Sequence, residues 1–285
     1  MQWLDGLIQG VLLGGLYAQY ALGMALMFGV MRIVNITHGD LMILLALIGI
    51  TLASTFHLGP WSVLAILVVA GGIIGWVLQR AILNRVVGAD PLPSLIATFG
   101  LSVALQNAMQ QIWSADTRSL RGGGIEAASV QIGPLFVGVL PVIVLITATL
   151  LTGGLDVLLR YTRFGRALRA SSADVEAAAM TGVNPKSIYA GATAIAVAIL
   201  GFAAVFQSLR ATVAPADGPF QLIYAFEAVI IGGMGSIWGA FIGAMVLGVS
   251  QSIGFRINPG FGILAGHLVF LMALAVRPQG LLGRQ

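Results

Sequence analysis

The 285-residue sequence contains no cysteine, only three histidines, a single lysine and just 8% charged residues. Without thiols there are no disulfides, no thiolate metal sites and no side-chain thiol redox chemistry. His38, His57 and His267 are scattered and lack HExxH-type spacing, so no metal site is expected. No Ser, His and Asp arrangement suggests a nucleophile, and the chain is not expected to be an enzyme. The shortage of charge excludes most. Soluble domains carry roughly 25% charged residues, whereas this chain is 58% hydrophobic with a mean hydropathy of +0.98. It has too little polar surface for water and must sit in a bilayer. The net charge of +4 comes from loop arginines and bears on topology; it does not indicate a nucleic-acid partner.

Seven stretches free of Asp, Glu, Lys and Arg reach 20 residues or more, from Gly6–Met31 to Ile257–Val276, and together hold 190 of the 285 residues. A helix needs about 20 apolar residues to cross a bilayer. The longest stretch, Leu41 to Gln79, is broken at His57-Leu58-Gly59-Pro60 and holds two crossings. The period-2 alternation of a membrane barrel is absent. The expectation is an all-α, polytopic transmembrane helical bundle of about eight or nine membrane segments, forming one domain over 1–285. The first basic residue is Arg32, so the opening apolar run has no signal-peptide n-region and is expected to remain in the protein.

Five basic residues, Arg160, Arg163, Arg166, Arg169 and Lys186, fall in one polar loop, and the positive-inside rule places that loop in the cytoplasm. The N-terminus, the 113–134 loop and the 210–221 loop then face outside. This count treats Gly232-Gly233-Met234-Gly235-Ser236 as a break that reverses the chain, leaving the tail with Arg277 and Arg284 inside. A helix running straight through would leave eight segments and put the tail outside. Glycines destabilise a helix interior by about 1 kcal/mol each, which favours a broken helix. Beyond it, small residues recur at every fourth position on two ridges, Gly235, Gly239, Gly243 and Ser236, Ala240, Ala244, Gly248. Such faces let helix backbones approach closely in lipid; a direct part in passing substrate is the other reading.

Within the 159–186 loop, Ser171 and Asp174 read as a capping box, 175–181 as helix, and Gly182 with Asn184-Pro185 as a stop. Val175, Ala178, Ala179 and Met180 offer this short helix an apolar patch, suited to a docking partner or to rest on the membrane surface. An ATP-driven pump needs a phosphate-cradling GxxxxGK[ST] loop. The only lysine, Lys186, follows Pro185, so ATP hydrolysis would have to come from a partner.

Three stretches carry a family likeness: Phe28 to Asp40, similar to an FGxxxxxNxAHGD segment with Thr37 at the usual Ala; Ile96 to Asn107; and Gly232 to Gly239 with its Gly-rich continuation. The loop Gly165 to Asn184 adds a fourth. The sequence resembles the membrane-spanning permease subunits of branched-chain amino acid ABC importers, of the smaller LivH type. The resemblance implies a multi-pass protein of the bacterial inner membrane working with a second permease subunit, identical or homologous, two cytoplasmic ATPase subunits that hold ATP and magnesium, and an extracytoplasmic solute-binding protein. This chain would carry no cofactor. Ser171 to Gly182, with Asp174, Val175, Glu176, Ala178 and Ala179, would be the coupling helix.

Few polar residues fall at membrane depth, where ionisable groups are functional candidates. Glu227 stands just before the glycine break at a position usually uncharged in the family, and fits either a substrate-amine contact or a structural ion pair. Asn35, His38 and Asp40 cluster at the expected cytoplasmic start of the second segment, with Asp40 placed to act on that helix's dipole and His38 to hydrogen-bond. Gln106 and Asn107 are expected near the outer end of their helix, bonding a neighbour or lining a pathway. The competing class is an autonomous cation-coupled transporter titrating Glu227 or Asp40.

Overall fold

The computed structural model describes residues 2–88, 90–133 and 135–283; Pro134 and Arg284, counted above in the outer loop and the tail, lie outside the described residues. The chain is a helical bundle: α1 (Gln2–Met31), α2 (His38–Phe56), α3 (Pro60–Leu78) continued by a π-helical turn (Gln79–Leu83) and α4 (Asn84–Val86), then α5 (Leu92–Trp113). A small antiparallel hairpin, β1 (Ser129–Ile132) and β2 (Leu135–Gly138), follows with Val130 opposite Val137. It is the one departure from all-helical structure among the described residues. Then come α6 (Val139–Tyr161), α7 (Arg163–Ala173), α8 (Val175–Met180), α9 (Pro185–Arg210), α10 (Gly218–Gly232), α11 (Ile237–Ile257) and α12 (Phe261–Val276).

Seven of these helical stretches are long and apolar enough to cross a membrane. The shorter α10 and α12, of 15 and 16 residues, add two further segments, in line with the expected eight or nine. The glycine break does reverse the chain. Gly233 and Gly235 take φ of 107° and 85°, values that favour glycine, and the turn lays α11 back along α10 with Gly239 and Gly243 against the backbone of Gly232 and Ala228. The tail closes over this turn, Leu281 and Leu282 donating to the Ile231 and Gly232 carbonyls at 2.9 Å. The tail and the turn therefore share one end of the bundle. Arg160 and Arg169 line a cleft with Met234 and Leu282 at that end. Arg80, hydrogen-bonded to Ser187, and Asn84, donating to the Lys186 carbonyl, belong to it too. The opposite end holds Arg256 paired with Asp5, Arg118 bridged to Val213, and Arg210. The arginine-rich end is the cytoplasmic one by the charge rule.

Bare backbone forms the main helix contacts. The two small-residue ridges of α11 face different neighbours: Gly239 and Gly243 meet α10, while Ala244 and Gly248 meet Gly14 and Gly10 of α1. A β-carbon at Gly14 would stand 2.7 Å from Met245 Cα, and one at Gly71 2.6 Å from the Val197 carbonyl oxygen of α9. Lipid gives no hydrophobic drive between helices, so this close van der Waals contact is what holds them. Gly71→Leu should lower the melting temperature of the purified protein and its monodisperse yield, since overpacking costs about 1–3 kcal/mol or more when backbone cannot move aside. Gly153→Ala, with nothing within 4 Å of its β-carbon position, should leave both unchanged in the same thermal-shift and gel-filtration measurements.

Candidate functional site

The cytoplasmic loop folds as two helices. Thr162 caps α7, its hydroxyl accepting from the Gly165 amide at 3.0 Å, and Phe164 lays its ring on Gly191 of α9. Gly165 sits so close to the α6 carbonyls of Leu158 and Leu159 that only a residue without a β-carbon fits. The capping box read from Ser171 and Asp174 is corrected here. Ser171 is buried in the last turn of α7, its hydroxyl without a partner among the described residues, while Asp174 is itself the cap of α8, accepting from the Glu176 and Ala177 amides at 2.9 and 3.0 Å. A carboxylate satisfies two amides of a helix start more directly than a hydroxyl three residues upstream. Gly182, at φ 85°, ends α8, whereas Asn184 and Pro185 open α9 instead of closing α8, the Asn184 side chain accepting from the Ser187 amide. Only Ala178 of the expected apolar patch is buried; Val175, Glu176 and Ala179 are exposed, and Met180 is 84% exposed. The short helix α8 thus stands out from the bundle.

Between this segment and the glycine turn lies a cleft of about 400 Å³ lined by Asp156, Arg160, Arg169, Ser236 and Trp238 among others. The base of the projecting helices and the α10–α11 turn share its walls.

Inside the membrane, α2 begins far from where the sequence placed it. Arg32, with φ 52°, turns the chain after α1, and residues 33–37 run back into the bundle. Asn35 holds the start of α2: its Oδ1 accepts from the Thr37 amide at 3.1 Å and from the Thr37 hydroxyl. The His38 Nε2 donates to the Tyr20 carbonyl at 2.9 Å. Asp40 accepts from the Ser102 hydroxyl at 2.5 Å, and Ser102 lies ten residues after Leu92 and eleven before Trp113 on α5. At 1.5 Å per residue that is about 15 Å from either end, so Asn35, His38 and Asp40 stand deep in the membrane and not at its cytoplasmic face. The reason is packing: Gly39 meets Gly218 of α10 backbone to backbone, which draws the α2 start inward.

Gln106 and Asn107 lie in the outer half of α5, as expected, but bond within their own helix. Gln106 Nε2 donates to Ser102 Oγ at 3.2 Å and Asn107 Nδ2 to the Val103 carbonyl at 2.7 Å. Asn107, Gln110 and Gln111 face outward from a segment only 22% buried. Glu227 is buried and accepts from Nδ1 of His267 on α12, a partner 40 residues away that the sequence did not single out. Beside it, the Tyr224 ring stacks on Tyr17 at 4.9 Å, and Tyr17 donates to Gln251 at 2.6 Å. Two further residues went unnoticed. Ser102 is neutral and unremarkable in sequence, and Asp217, in the expected outer loop, immediately precedes the Gly218 that packs on Asp40.

Residues 6–276 match the family model for the permease component of branched-chain amino acid transport systems. The chain is similar to the high-affinity branched-chain amino acid transport system permease protein BraD of Pseudomonas aeruginosa, 28% identical over 99% of this chain and 96% of the relative. It is similar also to LivH of Escherichia coli, 27% identical over 100% of this chain and 96% of the relative. A shorter match, 33% identical over 41% of this chain and 28% of the relative, links it to the LivM permease protein of the same species. With a helical bundle, a reversing glycine turn and a family match along almost its full length, the chain belongs to the family of branched-chain amino acid transport system permease components, multi-pass membrane proteins that transport and are not enzymes.

Proposed function

We propose that this chain forms half of the translocation pathway of an ATP-driven importer for branched-chain or related amino acids in the bacterial inner membrane. Two ATPase subunits, carrying ATP and magnesium, dock on α8 from the cytoplasm, and an extracytoplasmic binding protein delivers the solute. The observation that carries the reading is α8 itself: a six-residue, separately capped helix projecting at the arginine-rich end, with Met180 and Val175 exposed, on a chain without a nucleotide-binding loop. Val175 and Met180, exposed on a helix with a capped start, give this projection an apolar surface for that contact. Phe164 on Gly191 and the cleft beside the glycine turn give this projection a route to move α9 and the α10–α11 hinge.

The second permease subunit covers α5. Asn107, Gln110 and Gln111 cannot face hydrocarbon without cost, and the two permease proteins named LivH and LivM in Escherichia coli supply a precedent for such a pair. A cation-driven carrier titrating Glu227 gains no support from family membership.

Val175→Glu with Met180→Glu should cut leucine uptake by reconstituted transporter, and co-purification of the ATPase subunits, at least tenfold, because interface anchors contribute about 2 kcal/mol or more each. Unchanged uptake would count against docking at α8. Cysteine placed at Gln110 in this cysteine-free chain should cross-link to the second permease subunit under mild oxidation, as read by a mass shift on gels; the same change at Leu150, 68% exposed on α6, should not.

A further inference from the structure

The outer end of the bundle carries a cation without a counter-charge. Arg210 closes the last turn of α9, and among the described residues its guanidinium enters no ion pair and no hydrogen bond. Gln207, one turn earlier on the same face of α9, accepts from the buried Tyr20 of α1 at 2.8 Å. That face is therefore turned to α1.

Two cavities meet at Arg210. One, of about 90 Å³, lies between α1 and α6 with Leu12 and Val144 in its walls. The other, of about 470 Å³, lies between α1, α11 and α12 and falls in the size range of small-molecule sites. Arg210 and Gln9 line both. Gly254 packs on Phe261 and Ala265 too closely for a β-carbon and sets α12 against α11.

The larger cavity has an apolar side, formed by Leu13, Phe255 and Ile263, and a polar side that includes Arg210 and Gln9. Arg256 also lines it, but Asp5 of α1 holds that charge. Gln251 is left out of the site, since it accepts from Tyr17 and its amide packs on Gly266. Gln9 donates through Nε2 to the Phe136 carbonyl at 3.1 Å, and its Oε1 enters no hydrogen bond among the described residues. An arginine fork matches a carboxylate in two parallel hydrogen bonds. A simple anion is nevertheless poorly served here, because α9 and α11 both end at this cavity and helix C-termini favour cations. A zwitterion satisfies both: its carboxylate meets the guanidinium, and its ammonium group meets the helix ends and the free Gln9 oxygen. The apolar wall then suits an aliphatic side chain.

We propose that this cavity is a reception site on the outer side of the permease, in which Arg210 holds the α-carboxylate and Gln9 the α-ammonium group of an aliphatic amino acid. The inference rests on the reading of this chain as an amino acid importer and adds the residues that first take hold of the solute.

The test uses the complete transporter, both permease subunits with their ATPases, in nanodiscs for labelling and in proteoliposomes with leucine-loaded binding protein for uptake. Phenylglyoxal should modify Arg210, as read by peptide mass spectrometry, and millimolar leucine should lower that labelling threefold or more. Leucinol, which keeps the side chain and the amine but lacks the carboxylate, should leave labelling unchanged, and so should acetate. Arg210→Gln should reduce radiolabelled leucine uptake at least tenfold while loaded binding protein still stimulates ATP hydrolysis. Arg210→Lys, a point charge in place of the fork, should give intermediate uptake, and Ile263→Trp, which fills the cavity from its apolar wall, should cost threefold or more. Protection by acetate or leucinol equal to that by leucine overturns the site, as does wild-type uptake by Arg210→Gln. Loss of stimulated ATP hydrolysis together with uptake in Arg210→Gln also overturns it, in favour of a contact with the binding protein. Each of these results leaves the importer reading standing if the wild type moves leucine. A wild type that moves no leucine, isoleucine or valine overturns that reading and the site with it.

Discussion

A membrane interior has no water with which to satisfy an interrupted backbone, so a helix can stop at depth only where protein covers its open end. The structure depends on this constraint at the meeting of α2 and α10. Both helices begin inside the bundle, and each covers the other's start through the Gly39–Gly218 contact. Asn35 and Thr37 close the first turn of α2, and Asp217 with Ala214 closes the approach to α10. Without the two glycines the starts would be pushed apart, and their free amides would face lipid.

The same economy of side chains organises the rest. The core α11 presents one glycine-lined ridge to α10 and another to α1, joining three helices through contacts a few ångströms deep. α9 receives α3 in the same way at Gly71, Gly75 and Gly201. α5 and α6 are equally little covered, but α5 is polar along its outer half, and α7–α8 hang from the bundle by Phe164 and Gly165. The permease therefore has a tightly joined centre, a sparsely covered polar helix face on α5 and a projecting pair of helices at the arginine-rich end.

Much of this was legible in the sequence where the signal is local. Charge-free gaps mark the helices, the glycines around Gly233 and Gly235 mark a reversal, and Gly182 marks the end of a short helix, whereas the cap at its start is Asp174 itself and not the Ser171 that the spacing suggested. Glu227 stands out by charge alone. Its partner His267 does not, because nothing in a sequence of this kind relates positions 40 residues apart. The depth of Asp40 was misjudged for a related reason: a chain that turns back after α1 looks, residue by residue, like an ordinary loop. The Asp217-Gly218 pair was hidden more completely. It lies in a short polar stretch with Pro and Gly that reads as an outer turn, and only the contact of Gly218 with the α2 start carries it inward.

The glycine contacts also restrict how the protein can change over generations. A side chain enlarged in an ordinary core can be accommodated by shrinking the residue opposite. At Gly243 the opposing atom is the Ala228 carbonyl oxygen, and at Gly75 it is that of Thr193. A main-chain oxygen belongs to every amino acid, so no second-site substitution there can make room, and drift at these positions has no compensating path.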